Sequence, residues 1–107
     1  MIVCTTENIP GYHVTQTLGQ VFGLTVRTRS IGGNMAAGFR SIVGGEVKSY
    51  VKMLEDARRQ ALDRMVANAT AAGGNAVVMM RFDSSEIGQT MSEVVAYGTA
   101  VVVQPAQ

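Results

Sequence analysis

Two side chains in this sequence could bind a soft metal ion, Cys4 and His13. Heavy-metal ions prefer thiolate and imidazole ligands, and proteins usually supply two or more of them close together in sequence. The chain has one cysteine and one histidine, and therefore no local metal motif. Several copies of the chain could pool their Cys4 thiols, or Cys4 could meet His13 across a pair of strands. The structural alternative, which we favour, makes Cys4 a small buried hydrophobe and His13 an outward strand residue.

A second set of residues could bind an anion or another small ligand. Arg27 and Arg29 precede the glycine pair Gly44-Gly45, which we expect at the start of a long helix. Free backbone N–H groups and the helix dipole can bind phosphate or carboxylate at such a position. The spacing matches neither a P-loop nor a GxGxxG fingerprint. The alternative, which we favour, is that Gly44-Gly45 only make a tight turn and that Glu46 balances the dipole.

Acid–base catalysis has less support than binding. Asp83, Glu86 and Glu93 could act as paired carboxylates, with Tyr97 as a proton donor. No Ser/His/Asp or Cys/His arrangement is recognisable by spacing, and the single histidine leaves few candidates for a general base. We therefore expect no enzyme, and we rank a hydrolase or isomerase that uses Asp83, Glu93 and Tyr97 at a subunit interface below both binding hypotheses.

The element that must position these residues is a long helix, predicted from Glu46 to Ala72. The stretch has no proline or glycine, is rich in helix-forming residues and ends at Gly73-Gly74, a favourable helix stop. At 1.5 Å per residue it would be roughly 40 Å long. Helical periodicity places its apolar residues in one stripe along the helix, formed by Val47, Val51, Leu54, Ala61, Met65, Ala69 and Ala72.

Arg58 interrupts this apolar stripe near its centre. A guanidinium stays charged, and burying it without a partner would cost several kcal/mol. We therefore expect Arg58 to pair with Asp83 or Glu93, with Glu55 as a weaker local choice. The alternative is that its stem covers apolar neighbours while its charged head reaches water.

Strand patterns dominate the first part of the chain. Ile2–Thr6 is a short β-type run, and Tyr12–Arg29 predicts a long bent strand or a hairpin in which Gly19 and Gly23 mark bulges or a turn. The predicted core face consists of its even positions, which are Val14, Leu18, Phe22, Leu24 and Val26. The odd positions, including Arg27, are expected to face outward.

The rest of the chain adds a short helix and two strands. Ile31–Val43 has helical spacing. Ala76–Phe82 predicts a strand buried on both faces, Asp83–Gly88 a turn, and Met91–Val103 the last strand. One face of this last strand is small and apolar, which suits close packing of an alanine-rich helix, and it carries Val94, Ala96, Gly98, Ala100 and Val102.

The opposite face of the last strand predicts self-association. It carries Val95, Tyr97, Val101 and Val103, and large exposed apolar patches usually mark interaction surfaces. A single long helix can cover only one face of a small sheet. We therefore expect this face, or a neighbouring edge, to be buried between copies of the chain.

Composition limits the classes of protein that fit. With 107 residues, 47% hydrophobic and 16% charged, the chain is expected to be one globular domain over residues 1–107. A net charge of +1 gives no basic surface for nucleic acid or an anionic membrane. No apolar run approaches the roughly 20 residues of a membrane helix, and the N-terminal residues do not resemble a signal peptide. The single cysteine fits a reducing cytoplasm.

Several runs of residues, in order and over nearly the whole chain, resemble one known family. They are Arg29-Ser30-Ile31-Gly32, Ala37-Gly38-Phe39-Arg40, Ile42-Val43-Gly44-Gly45-Glu46, Glu55-Asp56-Ala57-Arg58, Gly74-Asn75-Ala76-Val77-Val78, Arg81-Phe82-Asp83 and Ala96-Tyr97-Gly98-Thr99-Ala100-Val101. The chain is similar to the YbjQ-like family of proteins described as heavy-metal-binding. The resemblance implies a dodecin-like fold, an antiparallel sheet around one helix, assembled as a ring-shaped homopentamer. The family has no assigned biochemical activity, and the lack of a local Cys/His motif departs from its description.

Residues and resemblance together predict an α+β protein with an antiparallel sheet on one long helix and a short extra helix. We expect a cytoplasmic homo-oligomer, a pentamer by resemblance, whose partner is itself. We expect it to bind a heavy-metal ion or a small ligand without catalysis. The alternative is a purely structural ring whose apparent sites are only interfaces.

Overall fold

The computed structural model of the protein describes residues 1–28, 48–88 and 91–107. These ranges form β1 (Ile2–Val3), β2 (Tyr12–Thr28), α1 (Lys48–Ala71), β3 (Ala76–Ile87) and β4 (Met91–Pro105). The α+β class is therefore confirmed, as is the long helix. The predicted short helix over Ile31–Val43 and the first two residues of the predicted long helix lie outside the described residues.

The strands of the described ranges form a single mixed sheet in the order β1-β3-β4-β2. β4 lies between β3 and β2 and pairs with both in the antiparallel direction. β1 joins the far side of β3 in parallel, with Ile2 opposite Ala76, so the sheet is not wholly antiparallel as we expected. Parallel pairing is possible here because the long connection between β1 and β3 includes α1, whereas only a few residues separate β3 from β4 in the sequence.

α1 packs across β2 and β4 through small side chains. On the helix, Ala57, Ala61, Met65 and Ala69 recur every four residues, and all are buried. This spacing places them one above another on the same face. Facing them from the last strand are Val94, Ala96 and Ala100, which belong to the same core cluster. The predicted packing of an alanine-rich helix on the small face of this strand is therefore confirmed.

The C-terminal end of α1 follows from its two glycines. Gly73 has φ of 93°, in the left-handed region, and its N–H donates to the carbonyl of Thr70 at 3.0 Å. The N–H of Gly74 donates to the carbonyl of Ala69 at 2.9 Å, which completes a Schellman motif. Among the described residues, the structure contains no helix with the length and apolar character that crossing a membrane requires.

From Val21 onward, the inward face of β2 is the reverse of the predicted one, whereas Leu18 packs against the helix-side core as predicted. Val21 and Thr25 are buried against α1, whereas the even residues Phe22, Leu24 and Val26 are 52%, 45% and 45% exposed. The register against β4 shifts twice, between Val14 and Gln16 and between Thr17 and Gly19. These bulges change which alternate residues face the helix, so a uniform even–odd pattern could not assign the core face.

A second cluster of buried side chains lies on the other face of the sheet. It consists of Ala76, Val78, Val101 and Val103, and the N-terminal residues Ile2, Cys4 and Ile9 pack against it. Val101 and Val103 are only 2% and 4% exposed in the single chain. The expectation that a second copy covers these two valines is therefore wrong, because the chain's own N-terminal segment covers them.

β3 is longer than predicted and includes a bulge. It continues through Asp83 to Ile87, all paired with β4, so the predicted turn begins only at Gly88, whose φ is 64°. The register shifts between Val78 and Arg81, where Met79 adopts a φ of 56°. Cross-strand pairing with β4 holds polar residues in an extended conformation that their turn-forming preference alone does not predict.

Candidate functional site

Cys4 lies directly after β1, at the edge of the sheet. Its N–H donates to the carbonyl of Val77 at 2.9 Å, and its carbonyl accepts from the N–H of Met80 at 3.0 Å. Its Sγ lies 3.4 Å from the carbonyl oxygen of Thr6, and the residue is half-buried and free of any disulfide. Cys4 therefore packs against the second core cluster while remaining only half-buried.

His13 lies far from Cys4 in the single chain. It is exposed near the start of β2, opposite Gln104 of β4. The strand order places β3 and β4 between β1 and β2, which is a lateral separation of roughly 14 Å at ~4.8 Å per strand. Within one chain, therefore, Cys4 and His13 do not meet across a pair of strands, and their meeting between copies of a ring stays a prediction.

The described residues of one chain do not form a chelating metal site. No group of three or more His, Cys, Asp or Glu side chains is close enough to hold an ion in those residues. A single thiol that packs against valines does not fit a resident heavy-metal ion by itself, because soft ions take several thiolate or imidazole ligands.

Of the predicted anion-binding residues, only Arg27 belongs to the described part of the chain. Arg29, Gly44 and Gly45 lie outside it, so the anion hypothesis stays a prediction. Arg27 donates from Nη2 to Oε1 of Gln60 on α1 at 3.1 Å, and the same oxygen accepts from the Thr25 hydroxyl at 2.6 Å. The Nε of Arg27 is buried without a partner among the described residues. Thus Arg27 helps to join β2 to α1.

The carboxylates named as catalytic candidates are divided between the two sheet faces. Tyr97 lies opposite Arg81, Asp83 opposite Val95, and Glu93 opposite Ser85. Since side chains alternate along a strand, Asp83, Glu93 and Tyr97 share the face away from α1, and Glu86 belongs to the helix side. The Asp83 carboxylate accepts from the N–H of Ser84 at 2.9 Å. This is a local contact of an exposed residue, and it does not couple Asp83 to a nucleophile.

Arg58 is exposed and not paired as predicted. Its Cζ lies 5.4 Å from the centre of the Phe82 ring, a cation–π contact. Within the described residues, no carboxylate lies within 4.0 Å of its guanidinium. The expected pairs with Asp83 and Glu93 are therefore absent there, and the alternative of a stem on apolar surface with a solvated head describes Arg58 better. The side chain borders a shallow cleft of about 240 Å³ between α1 and the β3–β4 hairpin.

An apolar surface lies on the face of the sheet away from α1. We call it the open face and define it by Phe22, Leu24 and Val26 of β2 with Val95 and Tyr97 of β4. In register, Phe22 lies opposite Tyr97 and Leu24 opposite Val95. Its β2 side chains are about half exposed, and the N-terminal segment covers a different part of this face. The described part of the chain therefore exposes a contiguous apolar surface.

Three polar residues of α1 contact β2, and the sequence reasoning missed them. Gln60, Arg64 and Asn68 are four residues apart, so they lie along one flank of the helix. Arg64 donates from Nη1 to the carbonyl of Leu24 at 2.6 Å, and Asn68 donates from Nδ2 to the carbonyl of Phe22 at 2.7 Å. Their regular spacing beside the apolar stripe was the available signal.

Comparison with known proteins agrees with the resemblance seen in short runs of residues. The sequence model of the YbjQ family, which is described as "Putative heavy-metal-binding", matches residues 1–104. The chain belongs to this family. A UPF0145 protein from Bradyrhizobium sp. (strain ORS 278) is 66% identical to it, over 100% of this chain and 96% of the relative. A UPF0145 protein from Mycobacteroides abscessus is 53% identical over the whole length of both chains.

Among solved structures, a protein of unknown function from Pediococcus pentosaceus, assigned to the DUF74 family, has a similar fold. Its TM-score is 0.64, and the match covers 97% of this chain and 98% of that protein. Sequence identity is 14%, so the similarity concerns the fold alone. Neither the Bradyrhizobium nor the Mycobacteroides relative of this YbjQ family member bears the name of an enzyme.

Proposed function

We propose that this protein is a non-catalytic, self-assembling binding protein in which several copies together form a site for a soft metal ion or a small ligand. The observation that carries the proposal is the open face, which stays half exposed after α1 and the N-terminal segment have covered the rest of the core. In the proposed assembly, a ring of five in the cytoplasm, this surface is buried between copies.

The size of the open face supports self-assembly. Burying about 400 Å² of apolar surface would contribute on the order of 10 kcal/mol before the cost of association. The outer side of α1 is a poor alternative interface, because Lys52, Asp56, Arg59 and Asp63 are exposed charges there. The open face is therefore the described surface best suited to a second copy.

Family membership and the position of Cys4 support metal binding between copies. A ring supplies one Cys4 per chain, and thiolates select soft ions over the available carboxylates. Cys4 is a half-buried residue beside the edge strand β1, where another chain can approach. Because one chain lacks further ligands in its described residues, such a site depends on assembly.

A structural ring without bound metal is the second candidate function. The absence of a chelating cluster in the described residues of one chain favours it. The two candidates share the assembly and differ in whether Cys4 binds an ion.

Native mass spectrometry with elemental analysis of the untagged protein tests the proposal, because it reports the stoichiometry and any retained metal together. Cd²⁺ is then titrated into the wild type, Cys4→Ser and, as a control, His13→Ala. We expect Cys4→Ser to lose Cd²⁺ binding while the assembly stays intact, and His13→Ala to bind as the wild type does. Equal affinity in all three proteins would remove Cys4 from the site, and a monomer at micromolar concentration would contradict the assembly.

A further inference from the structure

β2 is an edge strand of the described sheet, and it is 17 residues long. An edge strand presents a row of backbone N–H and C=O groups that can pair with a strand of another molecule. Along β2, backbone groups point alternately toward β4 and away from it. Because the carbonyls of Phe22 and Leu24 accept from side chains of α1, the even residues in this part of β2 direct their backbone groups outward.

Two side chains of α1 occupy the centre of this edge. Arg64 donates to the outward carbonyl of Leu24, and Asn68 to that of Phe22. Both side chains are exposed, and their donor atoms lie at the outward carbonyls of the strand. A neighbouring strand would need the same two carbonyls and the same space.

Gly23 brings the helix close enough for these two contacts. A Cβ at Gly23 would collide with the carbonyl of Ala61 and the N–H of Met65, and it would lie 2.9 Å from the carbonyl carbon of Arg64. The backbone of α1 therefore rests on β2 between Phe22 and Leu24. At this distance, the i and i+4 side chains Arg64 and Asn68 reach the carbonyls on either side of the glycine.

We propose that Arg64 and Asn68 guard the β2 edge and prevent it from pairing with the β2 edge of a second copy. The partner excluded is a second β2 in the antiparallel direction, because two identical edges are self-complementary across a two-fold axis. The strand is rich in Val and Thr and also contains Tyr12 and Phe22, all residue types that favour sheet pairing. The guard thus leaves the open face, rather than the sheet edge, for contacts between copies.

The test replaces both guard residues in the full chain. Arg64→Ala/Asn68→Ala is compared with Arg59→Ala/Asp63→Ala, which changes two exposed residues of the same helix that make no contact with β2 among the described interactions. We expect the sedimenting mass of the guard variant to double relative to the wild type and the control. Hydrogen exchange should at the same time show new protection of the outward amides of Phe22, Leu24 and Val26.

A proline on the edge distinguishes pairing from general instability. Gln20 lies outside the open face and in the same register against β4 as Phe22, so Gln20→Pro also removes an outward N–H, which an edge strand tolerates but a paired strand does not. Added to the guard variant, it should restore the sedimenting mass of the wild type. The proposal is overturned if the guard variant keeps the wild-type mass and exchange pattern, or if Gln20→Pro does not reverse the association. Should the double variant not fold, the single variants Arg64→Ala and Asn68→Ala, which each free one carbonyl, are judged by the same exchange pattern.

Discussion

At the scale of single residues, the absence of a side chain at Gly23 decides where α1 lies. The helix backbone contacts this residue directly, so the distance between helix and sheet is set at one point of β2. The small residues Ala57, Ala61 and Ala69 keep the same distance along the helix. The core of this protein is therefore organised by the closeness of two backbones rather than by large apolar side chains.

Gly23→Ala should destabilise the protein by about 3 kcal/mol, because the added methyl group forces the helix backbone away from β2. The free energy of unfolding is measured by urea denaturation at a fixed protein concentration. Gln20→Ala, at an exposed position of the same strand, is the control and should be nearly neutral. A loss for Gly23→Ala no larger than that of the control would show that the helix does not rest on this glycine.

The surroundings of Arg58 determine how much its replacement changes the free energy of unfolding. Its guanidinium is solvated and contacts one ring face, so Arg58→Met should change the free energy of unfolding by only about 0.5–1 kcal/mol. A double-mutant cycle with Phe82→Leu isolates the contact between the two side chains. A loss above roughly 3 kcal/mol for Arg58→Met would instead indicate a buried acid left without its partner.

At the scale of elements, α1 is bounded by local chemistry and placed by tertiary contacts. Its C-terminal end follows from Gly73 in the left-handed conformation, while its position over β2 follows from Gly23 and the polar contacts of Gln60, Arg64 and Asn68. In β2, tertiary contacts outweigh local residue preferences. Its bulges, which depend on pairing with β4, determine which of its residues are buried.

Gly73→Ala tests whether the left-handed backbone conformation of residue 73 stabilises the C-terminal end of α1. An alanine in the left-handed conformation costs about 1–2 kcal/mol, so the variant should lose that amount of unfolding free energy. Gly73→Asn is the matched variant and should lose less, since asparagine adopts this conformation more readily. Equal losses for the two variants would mean that the backbone conformation of residue 73 is not the cause.

At the scale of the whole molecule, α1 and the N-terminal segment each cover part of the sheet, and the open face is what they leave exposed. Phe22→Ser/Leu24→Ser should convert the proposed assembly to smaller species in analytical ultracentrifugation, with the fold of the single chain preserved. The physical reason is that half-exposed residues contribute little to the core of one chain but much to a surface buried between copies.

The matched control is Tyr12→Ser/Val14→Ser at the other end of the same strand, where the exposure of the side chains is similar. It should leave the sedimenting mass unchanged. If the open-face variant sediments as the wild type does, the open face is not an interface.

The sequence by itself determined the features that depend on neighbouring residues. The helix, its stop at Gly73-Gly74 and the small helix-facing side of the last strand follow from propensity and periodicity, which act within one element. The isolation of Cys4 and His13 from any local metal motif was also visible in their spacing.

Only the tertiary structure decided which faces are buried and which side chains meet. The core face of β2 depends on the bulges that form against β4. Val101 and Val103 are buried because residues near the N-terminus pack on them. Arg58 is exposed because α1 covers little of β3. The separation of Cys4 from His13 likewise follows from the strand order. These outcomes arise from contacts between residues far apart in the chain, which no local pattern encodes.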